Sequence, residues 1–311
     1  MSELTGFSHR PAWLSIIFIL FTATFGFVVI GPLIGFLVAM PFYDGTIFDL
    51  TTNLSDPTAH PEIRQPILIM QGCATLIGLI LIPILYVWAL EKTNAIVWIT
   101  GKSTTLVIVV VTAAIVISFM AINSMFIEWN ANFIFPDFLK EFGDWARERE
   151  TQAEELTKFF TTFDSTGDFI FGVFVIALLP AIGEELVFRG MLQPEIFRAS
   201  GNHHVAIWVS AIIFSAFHMQ FFGFVPRVLL GALFGYLYVW SGHLLLPMIA
   251  HFVNNGFSVL MMYLYQKGTI TTDMDSPEAA PWPLVASLTL VFIVLMFYFR
   301  KYHTTHNQTS V

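Results

Sequence analysis

The sequence predicts an all-α membrane protein, a polytopic membrane helix bundle with about eight transmembrane helices and a polar intramembrane cavity. Hydrophobic residues make up 56% of the 311 residues, charged residues only 12%, and the mean hydropathy is +0.73. A soluble domain carries roughly 25% charged residues. Because a soluble chain of this length could not hide so much apolar surface, we expect its solvent to be lipid.

Long uncharged runs locate the predicted spans, since a spanning helix needs about 20 largely apolar residues. We take residues 1–311 as a single membrane domain. Eight spans would place both termini on the same side, and the short basic connections favour a multi-pass protein of the cell membrane with cytoplasmic termini. The predicted spans are 11–43, 65–90, 103–127, 169–198, 204–222, 224–241, 244–265 and 281–299.

The connection 129–166 has a pattern of its own. Phe138, Leu139, Phe142 and Trp145 recur at helical spacing among charged residues. This spacing predicts an amphipathic helix that lies at the membrane interface. Two roles are open for it, a lid over a substrate and an ordinary connector, and we favour the connector.

Charge and cysteine content narrow the function classes. The net charge is −8, and the 14 Lys and Arg residues form no basic stripe, so we expect no nucleic-acid partner. The lone cysteine, Cys73, lies within an apolar run. It can form no intramolecular disulfide, and thiolate chemistry is not expected of a thiol in lipid or in a protein core.

The first polar cluster within a span is Glu184-Glu185-x-x-x-Arg189, which follows Pro180. Ionisable residues are expensive inside a membrane and are functional candidates by default. Glu185 and Arg189 are four residues apart and can pair on one helix face, whereas Glu184 is rotated by about 100° and stays available as a base. Pro180 would loosen the helix and admit water. The competing interpretation is a structural ion pair beside a spectator glutamate.

The second candidate is His218. Helices four and five are predicted to turn around Gly201, and Glu184 and His218 each lie 17 residues from that glycine. In an antiparallel hairpin the two side chains would therefore lie at the same depth in the membrane. A lone membrane histidine is otherwise more often a packing residue.

The third cluster is His251 with Asn255, four residues later on the same helix face. Two hydrogen-bonding side chains on one face indicate a polar cavity, although hydrogen bonding between helices would explain them too.

Together the three clusters contain the parts of a hydrolytic site. A glutamate near a histidine can deprotonate a water molecule, and a second histidine with an amide N–H can bind the resulting oxyanion. The chain has no G-x-S-x-G, H-E-x-x-H or Cys-His signature. No cofactor is expected. Zinc bound by Glu184, His218 and His251 stays open, because one carboxylate and two imidazoles leave a free coordination position.

The order of these motifs resembles the type II CAAX prenyl endopeptidases and their bacterial relatives, the CPBP or Abi family. The resemblance covers 167–260, which we take as the catalytic core, and implies an eight-helix membrane fold with a glutamate-activated water and no required metal. The motifs are Glu184-Glu185-x-x-x-Arg189, Phe214-x-x-x-His218 and His251-x-x-x-Asn255.

By position, the resemblance implies that Glu184 activates the water and that His218 is its partner. His251 and Asn255 would stabilise the oxyanion, with Glu185 and Arg189 in supporting roles. We therefore expect an intramembrane endopeptidase that cuts a membrane-associated or lipidated protein or peptide.

Two alternatives use the same residues without proteolysis. One is a non-catalytic membrane scaffold or immunity-type protein that keeps the fold. The other is a proton-coupled transporter, which is weakened because the two halves of the chain show no inverted repeat.

Four further polar residues rank lower. Arg227 could orient a substrate carboxylate, but we favour a side chain that extends to the membrane interface. The histidines at 203, 204 and 243 lie at predicted turns, where we expect them to face water.

Overall fold

The computed structural model describes residues 10–90, 99, 104–271 and 277–308. These residues form helices and turns and contain no strand, which confirms the all-α membrane bundle. The helices are α1 (Ala12–Phe42), α2 (Ile47–Asn53), α3 (Pro61–Ala89), α4 (Leu106–Ala131), α5 (Lys140–Phe160), α6 (Thr166–Ser200), α7 (His203–Ala216), α8 (Phe224–Ser241), α9 (Leu245–Gln266) and α10 (Trp282–Gln308).

Seven of the described helices are long and apolar enough to cross a membrane, one fewer than predicted. The exception is α7, whose 14 residues rise about 21 Å against a hydrocarbon thickness of about 30 Å. The predicted span 204–222 is therefore wrong beyond Ala216. A turn at 217–223 follows, in which Met219 has a positive φ of 54°. Helix count no longer places both termini on one side, so the orientation stays a prediction.

Helix α6 is the centre of the bundle, with contacts to α1, α3, α7, α8 and α9. Helix α4 packs on the other side of α8 and α9, and α10 packs against α4. Because α6 is surrounded by other helices, polar groups on its inner faces meet protein and not lipid. This arrangement lets α6 carry the buried charges that the sequence places on it.

Prolines shape the long helices in a regular way. Proline lacks an N–H and its ring clashes with the carbonyl four residues earlier, so the preceding turn widens into a π-helical turn. In α6, two widened turns flank Leu179–Glu185, which carries both glutamates of the first cluster. Each described π turn ends two residues before a proline: Gly26–Ile30 before Pro32, Thr75–Leu81 before Pro83, Val173–Leu178 before Pro180, and Leu186–Leu192 before Pro194.

Helices α1 and α3 cross at unusually short distance. Gly78 of α3 lies against the backbone of α1, where a Cβ atom would overlap the backbone nitrogen of Phe27. Gly26 of α1 faces the same crossing. Small residues permit such backbone contact between membrane helices, which associate through close packing.

Helix α5 occupies the connection that the sequence predicts to be amphipathic. Phe138 is 84% exposed just before the helix, and Phe142 and Trp145 remain partly exposed on it, while Ala146 is buried. Arg64 at the start of α3 pairs with Asp164 just after α5, with a nitrogen–oxygen distance of 3.0 Å. That α5 lies at the membrane interface stays a prediction.

Candidate active site

A buried ion pair lies at the centre of the candidate site. The Arg189 Nη1 donates to Glu185 Oε1 at 2.7 Å, and the exposed fractions of the two side chains are 1% and 0%. The pair that the sequence spacing suggests is therefore formed. Its neutralised carboxylate is closed to water, so Glu185 is unsuited to act as the base.

Helix α8 holds the Arg189 guanidinium in place. The Nη2 of Arg189 donates to the carbonyl oxygen of Gly231 at 2.9 Å. The Cζ atom of Arg189 lies 4.9 Å from the ring centre of Phe214 and 5.5 Å from that of Phe234. Two aromatic faces and two acceptors thus surround the buried cation, an arrangement that offsets its loss of hydration.

His251 connects α9 to both glutamates of α6. Its Nδ1 lies 2.8 Å from Glu185 Oε1, and its Nε2 lies 3.7 Å from Glu184 Oε2. Glu185 can only accept, so Nδ1 must carry the proton of that hydrogen bond. The tautomer is thereby fixed, and Nε2 faces the second carboxylate.

Glu184 differs from its neighbour in accessibility. Its side chain is 18% exposed, whereas that of Glu185 is fully buried. The 3.7 Å between Glu184 and His251 Nε2 exceeds the range of a normal hydrogen bond. Glu184 is therefore the carboxylate of the pair that a water molecule can reach.

His218 lies in the turn after α7, and not on a helix as the sequence predicts. Its Nδ1 is 3.0 Å from the Phe214 carbonyl oxygen, a bond that satisfies one of the last carbonyls of α7. The Phe214 ring lies near both histidines, with ring-centre distances of 5.1 Å to His218 and 6.1 Å to His251. His218 interacts electrostatically with Glu184. The histidine that approaches the Glu184 carboxylate to within 4.0 Å is His251.

Asn255 lies one turn after His251 on α9 and is half-buried. Its Oδ1 accepts a hydrogen bond of 3.1 Å from the side chain of Asn254. Its Nδ2 has no hydrogen-bond partner among the described residues. That nitrogen is the kind of free donor that an oxyanion needs.

Within the described part of the chain, no group of three or more His, Cys, Asp or Glu side chains is arranged to hold a metal ion. His251 and His218 both use Nδ1 in hydrogen bonds, so each could offer only Nε2 to zinc. The expectation that no cofactor is needed stays a prediction.

An apolar groove of about 400 Å³ opens between α6 and α9. Its walls do not include Glu184, His218, His251 or Asn255, so the polar intramembrane cavity stays a prediction. The lining of the groove includes Phe169, Ile170, Val173, Phe252, Gly256 and Leu260.

Two lower-ranked residues differ from expectation. Arg227 does not extend into solvent, since its Nη2 donates to Gln220 Oε1 at 2.6 Å and its Nη1 is buried without a hydrogen-bond partner. His243 is only 4% exposed, so the prediction that it faces water is wrong. His204 is exposed as expected and bonds the Tyr236 hydroxyl at 2.7 Å. The exposure of each of these side chains depends on its neighbours in the tertiary structure, which its position in the sequence does not show.

The sequence did not identify the aromatic part of the site. It gave no role to the aromatic rings of Phe214 and Phe234, which enclose Arg189. The spacing of Phe214 from His218 was a usable signal for the first ring. Nothing near Phe234 in the sequence distinguishes it from the other phenylalanines of the spans.

Comparison with known proteins agrees with this geometry. The family model described as type II CAAX prenyl endopeptidase Rce1-like matches residues 166–257, which include every residue of the site. The membrane-embedded CAAX protease MroQ of Staphylococcus aureus is 36% identical over 98 residues, 30% of this chain and 39% of that protein. The uncharacterized protein YpbD of Bacillus subtilis is 33% identical over 85 residues, 26% of this chain and 40% of that protein. No solved structure matches the chain significantly.

These matches support assignment of the segment 166–257 to the CPBP family of membrane-embedded CAAX-type proteases. The matched segments span about two fifths of the length of each relative. The similarity lies in the segment that holds the polar cluster. The activity of the whole chain is a proposal.

Proposed function

We propose that this protein is an intramembrane endopeptidase. It hydrolyses a peptide bond in a membrane-associated or lipidated protein or peptide, by means of a water molecule that Glu184 activates. The observation that carries the proposal is the difference between the two adjacent glutamates. Glu185 is enclosed by Arg189 and His251, whereas Glu184 beside it is accessible, and its shortest ion-pair distance to any described residue is the 3.7 Å to His251.

The charges of the cluster support this division of labour. Glu185 and Arg189 neutralise each other, which leaves Glu184 and His251 as the groups that can exchange a proton. Water oxygen would attack the peptide carbonyl carbon while its proton passes to Glu184. The same proton would then go to the leaving amine nitrogen as the C–N bond breaks.

The oxyanion formed in this attack needs donors in a dry site. The free Nδ2 of Asn255 is one candidate, and Nε2 of His251 is a second when it is protonated. His251 is well placed because Glu185 fixes its ring through Nδ1. Such a carboxylate behind a histidine sets the tautomer and also stabilises the charged ring. His218 would orient the water.

The test is proteolysis by purified protein in liposomes that contain membrane-tethered peptides. Glu184→Gln removes the base and keeps the side-chain volume, so we expect cleavage to fall by at least about 10³-fold with an unchanged melting temperature. Glu128→Gln, an exposed glutamate near the end of α4, is the matched control and should cleave normally. Full cleavage by the Glu184 variant would reject the proposal.

The peptide itself can be found with the same pair of proteins in cells. Membrane peptides that accumulate uncut in cells with Glu184→Gln, and are cut in wild-type cells, are the substrates. If the variant replaced the wild type in every cellular role, the scaffold interpretation would stand instead.

A further inference from the structure

The turn that carries His218 has little support from its own backbone. It follows the end of α7, and its residue Met219 has a φ of 54°, a conformation that costs about 1 kcal/mol or more for a residue other than glycine. Strained conformations persist when surrounding contacts hold them in place. The contacts that hold this turn come from other helices.

Helix α5 supplies the first set of these contacts. One carboxylate oxygen of Glu150 accepts from the side chain of Gln220, and the other accepts from the backbone N–H of Phe222, both at 3.2 Å. Arg147, one turn earlier on α5, lies 3.6 Å from the ring centre of Phe222. A single acidic side chain thus bridges two positions of the turn from 70 residues away in the sequence.

Helix α8 also contacts this turn, through Arg227. Arg227 donates to Gln220 Oε1 at 2.6 Å, so Gln220 is held between Glu150 and Arg227. Arg227 also interacts electrostatically with both Glu150 and Glu184. These three side chains therefore connect α5, through the turn, to the charge of the candidate base.

The state of Glu150 agrees with a covered contact. Burial raises its pKa, and Arg227 and the Phe222 N–H partly oppose that change. A carboxylate held only at an exposed helix face would keep its hydration. Glu150 loses part of its hydration and gains hydrogen bonds to the turn.

We propose that Glu150 is a positioning residue for His218, acting through the turn 217–223. This inference rests on the proposed function. It assigns a role to α5, which the sequence interpretation favours as an ordinary connector. Because Glu150 connects α5 to the turn that carries His218, displacement of α5 would misplace His218.

The first experiment is hydrogen–deuterium exchange of the protein in lipid nanodiscs, which requires no substrate. In Glu150→Ala the Phe222 amide loses its acceptor, and we expect exchange of peptides that cover 217–223 to accelerate by about tenfold or more. Glu155→Ala, an exposed residue on the same helix, is the control and should leave this exchange unchanged. Unchanged exchange in Glu150→Ala would overturn the inference.

The second experiment compares kinetics of the same variants. Misplacement of His218 should lower kcat by about tenfold or more and leave KM within about twofold, because binding contacts are kept. Glu150→Gln keeps one acceptor oxygen and should recover part of kcat, which guards against a simple folding defect. A raised KM with normal kcat would instead make α5 a substrate-binding element and refute positioning.

Failure of this inference is distinct from failure of the proposed function. If Glu184→Gln abolished cleavage and Glu150→Ala had no effect, only the positioning role would be lost. If Glu184→Gln cleaved normally while exchange in the turn still accelerated in Glu150→Ala, the contact would be real and the reaction wrongly assigned.

Discussion

Variants of the buried pair of Glu185 and Arg189 should affect the free energy of unfolding and the rate of proteolysis differently. Arg189→Met removes the 2.7 Å ion pair and the 2.9 Å bond to Gly231, and leaves the fully buried Glu185 with His251 as its remaining donor. Breaking one side of a buried pair costs about 3–5 kcal/mol. Since about 1.4 kcal/mol is tenfold, the unfolding equilibrium should shift by more than about 100-fold.

The assay is equilibrium unfolding in mixed micelles, with the double variant Glu185→Met with Arg189→Met for comparison. Replacing a whole buried pair by apolar side chains is often neutral, so the double variant should regain most of the stability. It should not regain proteolysis, because the Nδ1 of His251 has lost its acceptor. A loss of less than about 1 kcal/mol in the single variant would refute the uncompensated-charge reasoning.

Three further predictions concern other parts of the molecule. Asn255→Ala should lower kcat by about 10²–10³-fold with little change in KM, whereas Asn254→Ala should have a small effect; equal effects would argue against an oxyanion donor. Gly78→Leu should lower the melting temperature, because any side chain there meets the backbone of Phe27, and an unchanged melting temperature would contradict that crossing. The stability of Glu150→Gln relative to wild type should increase as pH rises through the raised pKa of Glu150, since burial there disfavours the charged form, which the amide cannot adopt; melting curves across pH check the sign, and a difference independent of pH would count against it.

Local spacing predicted some features correctly. Glu185 and Arg189 pair because residues four apart on a helix meet whatever the tertiary fold. The turn at Gly201 was also predictable, and its φ of 67° is the left-handed conformation that glycine provides at a helix end. Both depend on a few adjacent residues, which the sequence displays directly.

Contacts between distant helices were not predictable in the same way. His251 meets Glu185 across 66 residues, and no periodicity within α6 or α9 shows which face of one helix meets the other. The end of α7 was missed because hydropathy records composition, and the segment from Phe217 to Gly223 carries no charged residue although the chain turns there. The burial of His243 depends on neighbours from other helices for the same reason.

The shortness of α7 has a consequence for the surrounding bilayer. A helix about 9 Å shorter than the hydrocarbon layer creates a hydrophobic mismatch, which lipids would have to meet by local thinning. Beyond its end, the rings of Phe135 and Phe142 pack on Phe221 at centre distances of 4.7 and 6.0 Å. A cluster of aromatic side chains, and not a further turn of helix, therefore adjoins the segment that carries His218.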